Sequence, residues 1–519
     1  MPIETPDWVR DAVFYQIFPD RFARSGRVPA PGPLEAWAEP PTHHGFKGGD
    51  LYGVAERLPY LADLGVTALY LTPIFASASN HRYHTYDYLT VDPLLGGNDA
   101  LRHLLDEAHA RGIRVVLDGV FNHTGRGFWA FHHVLENGAG SPYVDWFHFH
   151  PAALEGKRPF RPYPWHADHD EWPVDSAHEP TWDAKGDESF RRLGYRAWWG
   201  LPALPKLNTE NPVVREYLMG VAEHWLRFGI DGWRLDVPME IHTEGFWEEF
   251  RRRVRRVNPE AYIVGEIWHE CHEWLAGDRF DAVMNYPLAF AILGFAAQER
   301  LDREVVGRQH EYGRNTAVRG GAAMARELER LMTLYDPAVT HVQLNLLDSH
   351  DSPRYRTMAG GDPTAWRLAT LLLATLPGAP CIYYGDEVGV EGDHDPDSRR
   401  AFPWDETGWD LEGHAWTRAV LGLRRDVPAL RRGSFRAAGA AGLALGYARI
   451  GPGAELAVVA LNAGEAPVAL SLNVPEAAGR QLLPAALPGT DGEPVDVAAD
   501  GALSLVVPPR TGTVLMEAR

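Results

Sequence analysis

Along this chain, short apolar runs of strand length alternate with stretches in which apolar residues return every three or four positions. Eight such runs stand out: VFYQIF (13–18), VTALYLT (66–72), IRVVLDGV (113–120), IDGWRLDV (230–237), AYIVGEI (261–267), FDAVMN (280–285), VQLNLLDSH (342–350) and PCIYYGDE (380–387). Amphipathic patterns of helical period fill intervals at 50–64, 99–111, 212–228 and 244–257. Eight strand–helix alternations predict a closed parallel barrel more readily than an open sheet. The rhythm breaks once: about 85 residues rich in His, Trp, Pro and charge lie between the third run and the helix near 212, too many for an ordinary connection. They read as an inserted subdomain that leaves the carboxyl end of a strand and overhangs the barrel mouth. After about residue 430 the texture changes to alternating runs such as LALGYARI, AELAVVALNA, VALSLNV, LSLVVPP and GTVLMEA, broken by Gly, Pro and Asp-Gly, which predict a small antiparallel β-sandwich with a structural task. The chain is thus expected to be α/β: a (β/α)8 TIM barrel in two parts (1–120 and 206–430), an inserted subdomain after strand 3 (121–205) and a C-terminal sandwich (431–519).

Composition narrows the ligand. With 45% apolar residues in 519, the chain can bury a large core and more than one domain. Seventy acidic against fifty basic residues leave a net charge of −20, which argues against nucleic acid or an anionic membrane and favours a neutral partner. Eighteen Trp, nineteen Tyr and twenty Phe supply flat apolar faces, most of them for the core and some for uncharged rings. Cys271 and Cys381 fit no disulfide, metal or redox spacing. The start, MPIETPDWVRDAVFYQIF, carries acids and Pro where a secretion signal would be basic and apolar, and no run is long enough to cross a membrane, so the expected location is the cytoplasm.

The chemistry gathers at strand ends. DGVFNH (Asp118 to His123), GWRLDV around Asp236, VGEI ending at Glu266 and LLDSHD ending at Asp351 each close an apolar run with ionisable groups. Asp236, Glu266 and Asp351 should converge on one rim, where repulsion and burial raise one pKa and leave a proton donor beside a carboxylate nucleophile. That pairing suits glycosidic bond cleavage. Arg234, two residues before Asp236 and on the same strand face, is expected to hold that aspartate ionised. His123 and His350 add donors for hydroxyl groups.

These four segments, in this order and at these separations, resemble the signature regions of the alpha-amylase family of glycoside hydrolases, over nearly the whole chain. The resemblance implies Asp236 as nucleophile, Glu266 as general acid/base and Asp351 as the acid that stabilises the distorted sugar. It implies Arg234, His123 and His350 as holders of the reacting glucose, Asn122 as a structural partner, Tyr86 in YHTYDY as the aromatic platform and His84 as its neighbour. LPKLN (204–208), GEIWHE (265–270), SNHRYHTYDY (79–88) and DEVGVEGDHDPDSRRAFPWD (386–405) are similar to the neopullulanase, cyclomaltodextrinase and maltogenic amylase group, which acts on alpha-1,4 and in some cases alpha-1,6 links of maltodextrins, cyclodextrins or pullulan. In that group Glu240 and Trp268 match positions on the acceptor side.

Two departures stand beside the resemblance. The group's N-terminal sandwich domain has no counterpart here, since the first barrel strand starts by Val13. Many relatives also bind calcium after the first strand through Asn and Asp oxygens, whereas FPDRFARSGRVPAPGP offers cations and prolines, with only Asp50 of the GGD motif in place, so no cofactor is expected there. HFHP (148–151) and WHADHD (165–170) read as loop histidines near the entrance and not as metal ligands, and the charged run 183–188 as surface. The expected partners are neutral alpha-glucan oligosaccharides, with the protein a monomer or homodimer. A glucanotransferase or alpha-glucosidase would use the same acids, and a catalytically dead binding barrel is argued against by the intact set.

Overall fold

A computed structural model describes residues 3–157, 160–163, 189–190, 192–490 and 492–517; WHADHD and the charged run 183–188 lie outside the described residues. The eight predicted runs form eight parallel strands, β1 Phe14–Ile17, β2 Ala68–Leu71, β3 Arg114–Gly119, β4 Gly232–Leu235, β5 Tyr262–Gly265, β6 Ala282–Val283, β7 Leu344–Asn345 and β8 Ala379–Tyr383. They pair in sequence order, and β1 also pairs with β8, so the sheet curls into a barrel. The last joint, between β6 and β7, is one parallel bridge from Met284 to Leu344. Side chains do part of the ladder's work there: Val283 N donates to Gln343 Oε1 (2.9 Å), and Asn285 Nδ2 donates to Asn345 Oδ1 (2.8 Å). This explains why the runs at 280–285 and 342–350 shorten to two residues of strand each.

Alternation along the strands sorts the side chains. Leu69, Leu117 and Leu235 are buried with the apolar core, whereas Gln16, Tyr70, Asp118 and Arg234 meet polar partners towards the carboxyl end of the barrel. Asp118 and Arg234 are direct register partners across β3 and β4. The helix predicted at 50–64 is two helices, Leu51–Glu56 and Leu58–Leu64, because Pro59 lacks the N–H that would continue the first. A hairpin not foreseen from the pattern, Phe75–Ser77 with Thr85–Val91, rises after β2 and carries SNHRYHTYDY. In the insertion, the helix Trp129–Asn137 and bridges from His123 to Lys206, Phe147 to Leu207 and Ala197 to Pro205 fasten the described part back onto the barrel rim.

The C-terminal segment folds as a six-stranded antiparallel sheet facing a two-stranded one. Its central strands, Ala444–Ile450 and Leu456–Asn462, read as almost unbroken apolar runs because both faces are covered. Leu445, Tyr447, Ala457, Val459 and Leu461 join the barrel's core, while Ala444, Ala448, Val458 and Ala460 pack with Leu470, Leu472 and Leu503 in a second core.

Two buried guanidiniums without a carboxylate partner lock this joint. Arg424 donates to Ala374 O, Leu376 O, Leu430 O and Gly378 O, and Arg449 donates to Leu430 O (2.8 Å), Gly433 O (2.7 Å) and Thr375 O. Most of these carbonyls end the helices Pro363–Thr375 and Pro428–Arg432, where the helix dipole favours a cation. Burial drops both arginines to a pKa of about 9, which leaves them charged near neutral pH. Replacing Arg449 by Met leaves buried carbonyls without donors, and we expect a loss of about 3 kcal/mol of unfolding free energy. A urea midpoint equal to that of the wild type would refute this account of the joint.

Candidate active site

Arg234 is fully buried and reaches three carboxylates. Its Nη1 donates to both oxygens of Asp118 (2.9 Å each) and to Asp236 Oδ1 (3.1 Å), while Nη2 lies 3.0 Å from Glu266 Oε2. Arg234, expected to hold Asp236, meets Asp118 and Glu266 as well, so one cation is divided among three anions. A guanidinium has the fork geometry and the permanent charge to do this. Tyr70 Oη (2.8 Å) and Tyr83 Oη (2.9 Å) donate to Asp118 as well. Burial still lifts the Asp118 carboxyl to about 6, against the pull of Arg234 and both phenols.

Asp236 and Glu266 are nearly enclosed, at 7% and 8% exposure. Burial raises both carboxyls, and for Asp236 the charge of Glu266 is the next cause. Each of the two carboxyls therefore keeps its proton to higher pH than an ordinary carboxylate does. Glu266 also accepts from Val237 N (3.1 Å) and from Trp268 Nε1 (3.1 Å). Val237 turns its N–H to Glu266 from a left-handed backbone (φ 35°, ψ 52°), a conformation that a β-branched residue adopts only under constraint. Trp268 lies flat on Tyr286 at 3.6 Å between ring centroids, so an apolar wall stands beside the acid.

Asp351 follows β7 and is more open, its side chain 32% exposed. It meets Arg399 Nη2 (3.3 Å) and His350 Nε2 (3.1 Å). Arg399, from the 386–405 segment, also donates through Nε to His350 O (2.9 Å). Burial pushes His350 well below its ordinary pKa, so it is neutral. Its two nitrogens meet Gln16 Nε2 (2.7 Å) and Tyr83 Oη (2.6 Å), and the Tyr83 ring stacks on it at 5.5 Å and 8°. A polar chain thus runs from Gln16 through His350, Tyr83 and Asp118 to Arg234.

The sequence reading put the aromatic platform at Tyr86; the structure brings Tyr83 to the acids instead. Tyr86 stands half-buried against Gly125 and Gly127. The repeated Tyr of YHTYDY permits either register, and only the hairpin fixes which ring points inward. His84 sits edge-on to His81 (4.9 Å) and burial lowers it to about 4. His123 is fully covered, its ring stacked on Trp198 at 4.8 Å, and burial lowers it to about 3. Asn122 Nδ2 lies 3.3 Å from His123 Nδ1. Burial lifts Glu240 to about 7; Lys206 Nζ donates to its carbonyl oxygen (2.8 Å) and lies 4.0 Å from its carboxylate. The sequence reading gave no role to Asp118, Tyr83, Gln16 or Arg399. For Asp118 a signal existed, since a carboxylate inside the apolar run IRVVLDGV needs a buried partner.

In the first loop the carboxylates and carbonyls have partners within the chain. Asp50 caps the following helix at Gly53 N and accepts from Ser25 N and Oγ; Asp20 accepts from Lys47 N, Gly48 N and Arg21 Nε. The loop carbonyls are taken by the chain's own cations: Arg24 donates to Lys47 O and Glu35 O, and the buried Lys47 ammonium to Ala36 O and Glu39 O. Among the described residues no group of three or more His, Cys, Asp or Glu side chains could hold a metal ion. In HFHP, His150 Nδ1 caps a short helix at Ala152 N. Burial pushes the Cys271 thiol up to about 12, so it is inert at neutral pH. No described helix is long and apolar enough to cross a membrane.

Comparison with known proteins agrees with this geometry. Residues 16–419 match the family model described as alpha amylase, catalytic domain. The chain is 44% identical to a cyclomaltodextrinase of a Bacillus species over 83% of this chain and 69% of that one. It is 42% identical to neopullulanase 2 of Thermoactinomyces vulgaris, over 99% of this chain and 79% of the relative. The crystal structure of a debranching enzyme from Nostoc punctiforme superposes with a TM-score of 0.82 at 45% identity, covering 99% of this chain and 100% of that one. With the buried acids gathered at the carboxyl ends of its strands, the chain belongs to the alpha-amylase family of glycosidases.

Proposed function

We propose that the protein cleaves alpha-1,4 and also alpha-1,6 glucosidic bonds of maltodextrins, cyclodextrins or pullulan with retention of configuration. The observation that carries this reading is the pair Asp236 and Glu266, both buried beside one guanidinium. In the first step Asp236 attacks the anomeric carbon while Glu266 gives its proton to the departing glycosidic oxygen, leaving a glucosyl ester on Asp236. In the second, the Glu266 carboxylate takes a proton from water, the hydroxide displaces Asp236, and the free carboxylate returns. Asp351, held by Arg399, faces the distorted ring; Tyr83 and His350 offer it an aromatic face and a donor, with Arg234 and His123 beside them. Charge builds on the sugar during both steps, and the local excess of carboxylates stabilises it.

Transfer to a sugar acceptor in place of water is the second reading. The flat Trp268–Tyr286 pair beside Glu266, with Glu240 four residues past Asp236, supports it as a surface on which an acceptor ring would stack. We further propose that the first loop needs no calcium, because Lys47 and Arg24 already satisfy its carbonyls.

Maltotriose and pullulan digests followed by NMR test the main reading: alpha-anomers appear first, and Glu266→Gln lowers kcat by about 1,000-fold. Release of beta-anomers, or full turnover by that variant, ends it. A second expectation concerns pH. The Trp268 indole N–H stabilises the charged form of Glu266 and so lowers its pKa; Trp268→Phe removes that bond, the pKa rises, and the basic limb of kcat/KM moves to higher pH. A limb that stays in place or moves down contradicts the assignment of Glu266 as proton donor. Finally, chelation with EDTA is expected to leave the melting temperature within 1–2 °C, about the scatter of such a measurement; a fall of several degrees that calcium restores would overturn the calcium-free reading.

A further inference from the structure

A column of three flat rings leaves the active site and ends in solvent. His123 stacks on Trp198 (4.8 Å between centroids, 14° between planes), and Trp198 stacks in turn on Trp199 (4.8 Å, 11°). Both faces of Trp198 are therefore covered. Trp199 is not: one face lies on Trp198, and the residue is 49% exposed, a large apolar ring held open at the rim. Among the described residues the outer face of this ring is left open, and such a flat apolar face suits a partner that arrives from outside.

Its backbone is the second observation. Trp199 stands at φ 53°, ψ 22°, in the left-handed region where a residue with an indole side chain is strained. The turn that imposes this conformation is pinned on both sides. Trp198 N donates to Leu204 O (2.9 Å), Gly200 N to Ala197 O (3.1 Å) and Arg192 Nη2 to Gly200 O (3.1 Å), while Ala197 bridges to Pro205 just before Lys206. Strain kept in a rigid turn that displays a ring to solvent is the pattern of a preorganised contact.

We propose that the outer face of Trp199 is a distal pyranose platform, which takes a glucose unit of the chain beyond the residue being cleaved. A glucopyranose has an apolar C–H face suited to a flat ring, with its hydroxyls on the edge left to water. The platform makes the enzyme prefer longer glucans, because a maltotriose gains little from a contact at the rim whereas a maltoheptaose spans it. This inference rests on the alpha-glucan reading above and adds to it a residue that sets chain-length preference.

The test is a pair of measurements on wild type, Trp199→Ala, Trp199→Phe and Trp199→Gly. In steady-state kinetics Trp199→Ala raises KM for maltoheptaose about five- to tenfold, with a clearly smaller effect on maltotriose, and Trp199→Phe recovers most of the difference. Trp199→Gly loses the same preference while its melting temperature rises, because glycine relieves the left-handed turn. Calorimetric titration of maltoheptaose into the Glu266→Gln protein, with and without Trp199→Ala, reads the contact independently of turnover. Equal affinity in the two overturns the platform whatever the wild type hydrolyses, as does a Trp199→Gly protein that melts lower than wild type. A wild type that binds maltoheptaose through Trp199 without cleaving it would overturn only the hydrolytic reading.

Discussion

The whole site depends on one buried cation. Asp118, Asp236 and Glu266 are gathered within hydrogen-bond reach of Arg234, in an interior where three unshared negative charges would repel strongly. Without the guanidinium the carboxyls would take up protons or draw in water. Arg234 is in turn fixed by register: it faces Asp118 across β3 and β4, and Tyr70 and Tyr83 brace that aspartate from the other side. Structure and electrostatics are here the same set of bonds.

This arrangement also explains why the surrounding histidines are neutral. His350 joins the cluster through Tyr83 and Asp351, and burial drives it down, as it does His123 and His84 further along the mouth-side loops. Neutral imidazoles add hydrogen bonds without adding charge that would compete with Arg234 for the acids. The polar chain from Gln16 to Arg234 passes through one of them, so a contact at the β1 end of the mouth is mechanically linked to the acids on β4 and β5.

Most of the scaffold could be read before any coordinates, since barrel strands announce themselves by apolar runs and the acids interrupt them at one end. Asp236 and Glu266 each follow their strand by one residue and meet Arg234 there, whereas Asp351 lies six residues beyond its strand and is held by Arg399 and His350. What the chain did not disclose lies where periodicity stops. The choice between Tyr83 and Tyr86 is made by a hairpin whose two short strands carry irregular register, and no alternation in YHTYDY decides it. Asp118 was visible as a charge in an apolar run, yet its service to Arg234 depends on a lateral alignment of two distant segments. Arg399 comes from the long segment after β8 and reaches Asp351 beyond the neighbouring β7, a contact between two irregular loops that no periodicity marks.

The seam between β6 and β7 gives this closure a mechanical character. Seven joints of the hoop carry two to four paired residues each, and the eighth carries a single backbone bridge with two amide side chains beside it. Asp236 and Glu266 follow strands paired on both sides over several residues, whereas Asp351 follows a strand bordered by the thin joint. The load that holds the first two acids in place is thus carried by backbone, and that around the third falls to side chains such as Arg399 and His350.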